Sequence, residues 1–431
     1  MVNYQLSNNK ISKSTYLLFI IFISLFYIIP FISHIFFWEE YKIVFKSINY
    51  MYPIFFVLFF IILVFSIDKI SVNKKRMHLN FIGRIFENKK INYLLMLMFF
   101  IFSVNYFIKY NLTFRHSGEK TLSGEGFQVI IVLALKSYFK AFLFFVLIKK
   151  LNDLVVSKHE VRICILISIC YYLTLAASLD MLYIILAIIL GLKFDNVLFS
   201  NLKKKSLMSK NFKLIVLGIL VISIIFVGNA NKIGFERAYD KFTDSDETNQ
   251  IYLNTVRRIS TWYISVMVLG EKDLFDNTMS YTSLEGVFNN TFNRLNSIVG
   301  DKEKINKDGI WSINRMNYIQ IFKTNDRDIT GASPGLIASF FYLPFFPLNI
   351  ILMAIYTVFI LRYFDNAFIF KKKNFTPLLL LILLFFLIPV LDSPLDLINI
   401  IGPTFIYAIL FLGVLDRIII LNIEKLNNEK N

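Results

Sequence analysis

The sequence predicts an all-α, polytopic integral membrane protein with about ten transmembrane helices, both termini cytoplasmic and one large extracytoplasmic loop. Three observations carry that prediction. The 431 residues are 56% hydrophobic and only 18% charged, with a mean hydropathy of +0.60, which is too apolar for a soluble enzyme. The basic residues behind the net charge of +16 cluster in short loops between apolar runs, where they orient helices rather than mark a nucleic-acid surface. One long hydrophilic stretch interrupts the pattern: residues 229–330 hold 13 Lys and Arg against 14 Asp and Glu, so this segment is nearly neutral and the positive excess lies elsewhere.

Residues 1–227 read as an N-terminal membrane bundle of about seven spans. The first span, Tyr16–Phe37, follows Lys10 and Lys13, which place the N-terminus inside. It is too long for a signal-peptide core and lacks a small-residue cleavage site, so it is expected to be retained, with a kink at Pro30. Met51–Ile67 is the second span. The loop Asp68–Lys90, with seven basic residues against two acidic ones, falls inside. Ile91–Ile108 goes out, and Gln128–Ile148 returns to Lys149, Lys150 and Lys158. The run Val161–Leu192 is longer than one helix needs at ~1.5 Å per residue across ~30 Å of hydrocarbon. A hairpin turning at Asp180 resolves it and keeps Lys203, Lys204, Lys205, Lys210 and Lys213 inside. The seventh span, Leu214–Val227, delivers the chain to the outer face.

Residues 228–338 are then the large extracytoplasmic loop, 339–417 a C-terminal bundle of about three spans, and 418–431 a cytoplasmic tail. In the bundle, Ser339–Leu361 crosses in, Phe375–Val390 goes out, and Leu397–Leu415 returns to Asp416 and Arg417. Cys164 and Cys170 lie inside an apolar run, which offers neither a disulfide framework nor a zinc site.

No nucleotide-binding loop, metalloprotease motif or nucleophile elbow is present, so nucleotide-driven chemistry has no support. Chemistry must come from charges in unusual places. Lys136 and Lys140 sit four residues apart within the fourth span, hence on one helical face. Lys136 falls ~12 Å below the outer end of its helix at the standard rise. An ammonium at that depth faces a protein interior or a water-filled cavity and suits an anion such as a pyrophosphate; the alternative is that it snorkels.

Six of the twelve arginines lie in the outer segment. Of these, Arg257 and Arg258 precede Ile259–Leu269, an apolar run too short to span, which reads as an interfacial or re-entrant helix holding two guanidiniums at headgroup level. The planar guanidinium suits bidentate contact with phosphate oxygens. Arg294 and Arg315 lie farther along the same segment. Carboxylates near aromatics (Glu271, Asp273 and Asp276, with Tyr281, Trp311 and Tyr318 farther on) fit sugar recognition. Asp180, Asp392 and Asp396 at outer turns are either turn residues or bases. Ser333-Pro334 reads as a helix N-cap followed by the first helical position, and Pro344 and Pro347 end that short helix.

The stretch Gly331-Ala332-Ser333-Pro334-Gly335-Leu336-Ile337-Ala338-Ser339-Phe340-Phe341-Tyr342, set after a late arginine-rich outer segment in a chain of about ten spans, resembles the O-antigen polymerases, the Wzy-type oligosaccharide repeat-unit polymerases of bacterial surface glycans. Ala176-Ala177-Ser178-Leu179-Asp180 resembles the family's outer hairpin, with Leu179 where an arginine is common. The family often carries Glu-Leu-Tyr and Phe-Gly where this chain has Ser339-Phe340-Phe341 and Leu343-Pro344-Phe345. The resemblance implies a multi-pass protein of the bacterial cytoplasmic membrane acting at its outer face on an undecaprenyl-pyrophosphate-linked oligosaccharide. An acceptor hydroxyl would attack the anomeric carbon as pyrophosphate leaves, with Arg257, Arg258, Lys136 and Lys140 stabilising the leaving group, Arg294 and Arg315 in reserve for it, and Asp180, Glu271 or Asp273 as base. No cofactor and no metal is implied, and no nucleic acid. The partners are the lipid-linked glycan, the bilayer and a chain-length regulator of the product. An O-antigen ligase shares the layout. A repeat-unit flippase would also explain buried lysines, but it needs no hundred-residue outer segment.

Overall fold

The computed structural model describes residues 11–36, 52–70, 79–110, 127–152, 154–173, 260–268, 313–322, 332–342, 348–368 and 403–429, with single positions at 292 and 391. Every regular element among them is helical. In chain order these are α1 (Lys13–Ile23), a π-helical turn (Ser24–Ile28), α2 (Ile29–Phe36), α3 (Tyr52–Ile70), α4 (Asn80–Ile85), α5 (Lys89–Tyr110), α6 (Phe127–Leu151) and α7 (Lys158–Leu173). There follow α8 (260–268), α9 (Ile313–Phe322), α10 (Gly335–Ser339) running into a 3-10 turn (Phe340–Tyr342), α11 (Leu348–Phe368) and α12 (Pro403–Asn428).

Four stretches are long and apolar enough to cross a bilayer: Thr15–Phe36, Ile131–Lys150, Leu348–Asp365 and Ile406–Asn428. Continuous helices α3 and α5 stand where the sequence expects the second and third spans. The hairpin at Asp180, the seventh span and the run Phe375–Val390 lie outside the described residues.

The first span runs on through Pro30 for a visible reason. Proline has no N–H for the carbonyl four residues back, and its ring crowds that carbonyl. The chain widens just before it, where the Ile29 N–H bonds the Ser24 carbonyl five residues earlier, so the helix continues. One expected boundary moves. The candidate span expected from Ser339 begins at Leu348, because Ser339 closes α10 and Pro344 and Pro347 stand before α11 in the sequence.

The chain divides into two compact units interleaved in sequence, one comprising residues 1–78, 123–127 and 251–412, the other 79–122, 128–250 and 413–431. In the first, α11 packs on α3 and α1. Helix α3 buries Val57, Phe60 and Val64 and exposes Phe55, Leu58, Phe59 and Ile62, so both faces are apolar, as a lipid-facing helix requires. A polar clasp closes one end of this unit. The Arg362 guanidinium donates through Nε (2.8 Å) and Nη2 (2.7 Å) to Asp68 Oδ1, and through Nη2 to the Asp68 carbonyl (2.9 Å). Asp68 Oδ2 also accepts from the Tyr16 hydroxyl (2.5 Å) and the Ile11 N–H (3.3 Å). Asp365 accepts from the Ser12 N–H (3.0 Å), the Ser12 hydroxyl and the Thr15 hydroxyl (2.8 Å). Helix α1 has no acid in its own first turn. The two carboxylates brought by α3 and α11 supply the acceptors and negative charge that its N-terminal amides need.

The second unit is built on an aromatic core of Phe86, Phe99, Tyr138, Phe139, Phe142 and Phe145. Buried Asn92 is satisfied on both sides, its Nδ2 donating to the Phe86 carbonyl (2.7 Å) and its Oδ1 accepting from the Tyr138 hydroxyl (2.5 Å). Helices α4 and α12 touch backbone to backbone: a Cβ on Gly83 would collide with the Gly413 carbonyl and the Arg417 Cβ. Arg417 then reaches Glu87 at 2.8 Å. A reciprocal capping box starts α7, with the Ser157 N–H donating to Glu160 (2.6 Å) and the Glu160 N–H to Ser157 Oγ (3.3 Å). Lys149 pairs with the same Glu160 at 2.8 Å.

Candidate functional site

The stretch Ala332–Tyr342 lies at the centre of the first unit, with Leu336–Ala338 and Phe340–Tyr342 all buried. Gly335 adopts φ +72°, a backbone conformation that glycine takes without steric cost. The lack of a side chain matters as much, since a Cβ there would overlap Trp262 Cγ and Cδ2 and sit 2.8 Å from its Cβ. Helix α10 therefore presses its backbone onto the indole of α8. Trp262 is held from the other side by the first span, stacked on Phe26 at 4.4 Å and edge-on to Phe22 at 5.6 Å. The Tyr27 hydroxyl accepts from the Ile337 N–H at 3.2 Å, satisfying one of the amides that a helix start leaves open.

One local expectation changes here. Pro334, not Ser333, occupies the cap position of α10, while Ser333 Oγ still accepts from the Gly335 N–H at 3.4 Å. Helix α8 is enclosed by protein. Ser260 and every residue from Trp262 to Val268 are buried in the protein. An apolar run of this length reads alike in lipid and in a protein core, and what separates the two is a polar partner far along the chain. That partner is Asn317 on α9. Its Nδ2 donates to Ser265 Oγ (2.8 Å) and to the Ala332 carbonyl (2.9 Å), and its Oδ1 accepts from the Tyr342 hydroxyl at 3.1 Å. The same hydroxyl lies 2.7 Å from Gln320 Oε1, and the Ala332 N–H donates to the Asn314 carbonyl at 2.8 Å. One buried amide thus joins α8, α9 and both ends of the Ala332–Tyr342 segment. Its atoms carry no charge and titrate nothing at neutral pH, so it orients backbone rather than moving protons. Replacing Asn317 by leucine leaves Ser265, Tyr342 and the Ala332 carbonyl without this partner, and roughly 2–3 kcal/mol of stability should be lost. A denaturation midpoint in detergent that does not move would show that the amide joins nothing.

Lys136 and Lys140 lie half-buried on α6. The Lys136 ammonium sits 5.8 Å from the ring centroid of Tyr171 on α7, and the Tyr171 hydroxyl donates to the Lys136 carbonyl at 2.9 Å. A cation over an aromatic face recovers about 0.5–2 kcal/mol of the cost of leaving water. Lys136 and Lys140 belong to one compact unit, and α8, α9 and α10 to the other. Arg315 lies on α9, two residues before Asn317. Arg257, Arg258, Arg294, Asp180, Glu271 and Asp273 fall outside the described residues.

No family profile, curated protein or solved structure matches the chain. The geometry therefore stands by itself. The residues it adds to those singled out in the sequence are Trp262, Ser265, Asn317 and Gln320. A tryptophan and two serines inside a short apolar run, and an amide amid Ile313, Tyr318 and Ile321, were the available signals.

Proposed function

We propose that this protein is a metal-independent membrane glycosyltransferase that joins undecaprenyl-pyrophosphate-linked oligosaccharide units on the outer face of the cytoplasmic membrane, as the Wzy-type polymerases it resembles do. The observation carrying this reading is the contact of Gly335 with Trp262. It makes one packed body of the two stretches on which the resemblance and the phosphate site separately rest: the Gly331–Tyr342 motif and the helix that Arg257-Arg258 lead into. Arg257 and Arg258 stand immediately before that helix in sequence, and on this reading they balance the charge that builds on the departing diphosphate. The near-neutral charge of residues 229–330, set against lysine-rich loops elsewhere, supports a position for that segment beyond the bilayer. Lys136 and Lys140 are candidate anion-binding cations because of their depth in α6, and the base is drawn from Asp180, Glu271 and Asp273.

The test is made in the producing bacterium. Arg257→Ala and Lys136→Ala should each abolish long surface polysaccharide while the protein still accumulates in the membrane. Normal chain length in both would overturn the assignment. Deletion of the gene separates the neighbouring classes: long chains retained on the lipid carrier would indicate a ligase, and single units accumulating on the inner leaflet a flippase.

A further inference from the structure

The exposed positions of α7 fall on one stripe in a telling order: Lys158, Arg162, Ile165, Ile169. Basic residues come first and aliphatic ones follow. Helix α5 repeats the order, with Lys89 and Lys90 exposed at its start and Leu94, Leu97 and Ile101 exposed beyond them. The two helices pack side by side. They run parallel, since Tyr93 meets His159 at 4.6 Å and Phe99 meets Tyr171 at 6.0 Å. The four cations therefore gather at one end and the greasy side chains extend away from them, Ile165 and Ile169 roughly 5 and 10 Å below Arg162 at the helical rise.

None of Lys89, Lys90, Lys158 and Arg162 forms an ion pair among the described residues. The nearby acids are engaged elsewhere, Glu160 by Lys149 and Glu87 by Arg417. The amides of both helix starts are also taken, by Asn88 on α5 and by the Ser157–Glu160 box on α7. Among the described residues, these four side chains carry charge without a counterion. His159 adds nothing to it: burial holds the imidazole below its usual pKa, and Lys89 and Arg162 push the same way against the opposing pull of Glu160, so the ring is neutral at neutral pH.

We propose that this edge of the second unit is a selective site for an anionic phospholipid of the inner leaflet, its phosphate held by Lys89, Lys90, Lys158 and Arg162 and its acyl chains lying along Leu94, Leu97, Ile165 and Ile169. Charge order decides the occupant. A zwitterionic lipid would satisfy the aliphatic stripe equally well but brings a tethered cation with its phosphate and so no net charge to the four basic residues, and a soluble anion would leave the stripe unused. The inference needs only the sidedness set by the lysines and not the glycosyltransferase reading.

The experiment uses the full chain in phosphatidylcholine nanodiscs carrying Ile165→Trp as reporter, with the parent protein's own fluorescence subtracted. Acyl-brominated phosphatidylglycerol or acyl-brominated phosphatidylcholine is added at equal mole fraction. Phosphatidylglycerol should quench at least about twofold more strongly. In the Lys89→Gln, Lys90→Gln, Lys158→Gln, Arg162→Gln background the ratio should fall to one. A tryptophan at Ile355, an exposed position of α11 in the other unit, should show no preference in either background. Equal quenching at position 165, or a preference that survives removal of the four charges, overturns the site. Ile169→Trp provides a second reporter on the same stripe if the first variant does not reconstitute.

Discussion

Gly335→Ala is expected to destabilise the first unit by about 2–5 kcal/mol, combining the cost of a left-handed backbone for an L-residue with that of overpacking a filled core. Both terms arise at one atom. The methyl would occupy space now held by Trp262, and the indole cannot retreat, because Phe22 and Phe26 back it from the first span. The measurement is a denaturation midpoint in detergent, followed by near-UV circular dichroism, which reports tryptophan packing. Trp262→Leu opens the space, so Gly335→Ala made in that background and compared with Trp262→Leu alone should cost only the backbone part, about 1–2 kcal/mol. Wild-type stability in the single variant would mean that α10 does not rest on α8.

Arg362→Ala should cost about 3–5 kcal/mol, because it strands a carboxylate the fold has taken out of water. The Asp68 side chain is only 3% exposed, and Arg362 donates to it twice, with a third hydrogen bond to the Asp68 carbonyl. Lysine in that position offers a point charge in place of a planar fork and should restore only part of the loss. Arg362→Gln together with Asp68→Asn, which removes both charges, should be milder than Arg362→Ala alone. If the double variant is instead the worse one, the pair contributes more than the burial of its charges takes away, and the clasp is a net source of stability.

How far the sequence reveals this architecture depends on which force sets each element. Helices α3, α5 and α6 begin and end within a few residues of the expected spans, since an apolar run flanked by lysines leaves a helix little choice in a bilayer. Helix α7 starts three residues before Val161. The apolar run sets one limit, but Ser157 and Glu160, which form the box, stand outside it. The boundary at Leu348 depends on two prolines, and those were visible. The burial of α8 was not, because hydropathy has the same sign in lipid and in a protein core. Asn317 meets Ser265 across 52 residues. No local pattern around either one specifies the other. For the same reason the sequence pointed to Lys136 and Lys140 by their depth but gave no sign of the Tyr171 ring that accompanies one of them.

The clasp at the start of α1 also sets a schedule for biogenesis. Ser12 finds its acceptor 353 residues later in the chain, at Asp365. At translation rates of about 5–20 residues per second, roughly 18–70 s separate the emergence of the two from the ribosome. Throughout that interval the first helix must wait in the translocon or the bilayer with its amino-terminal amides served by water and lipid headgroups, and it becomes fixed only after α11 has been inserted.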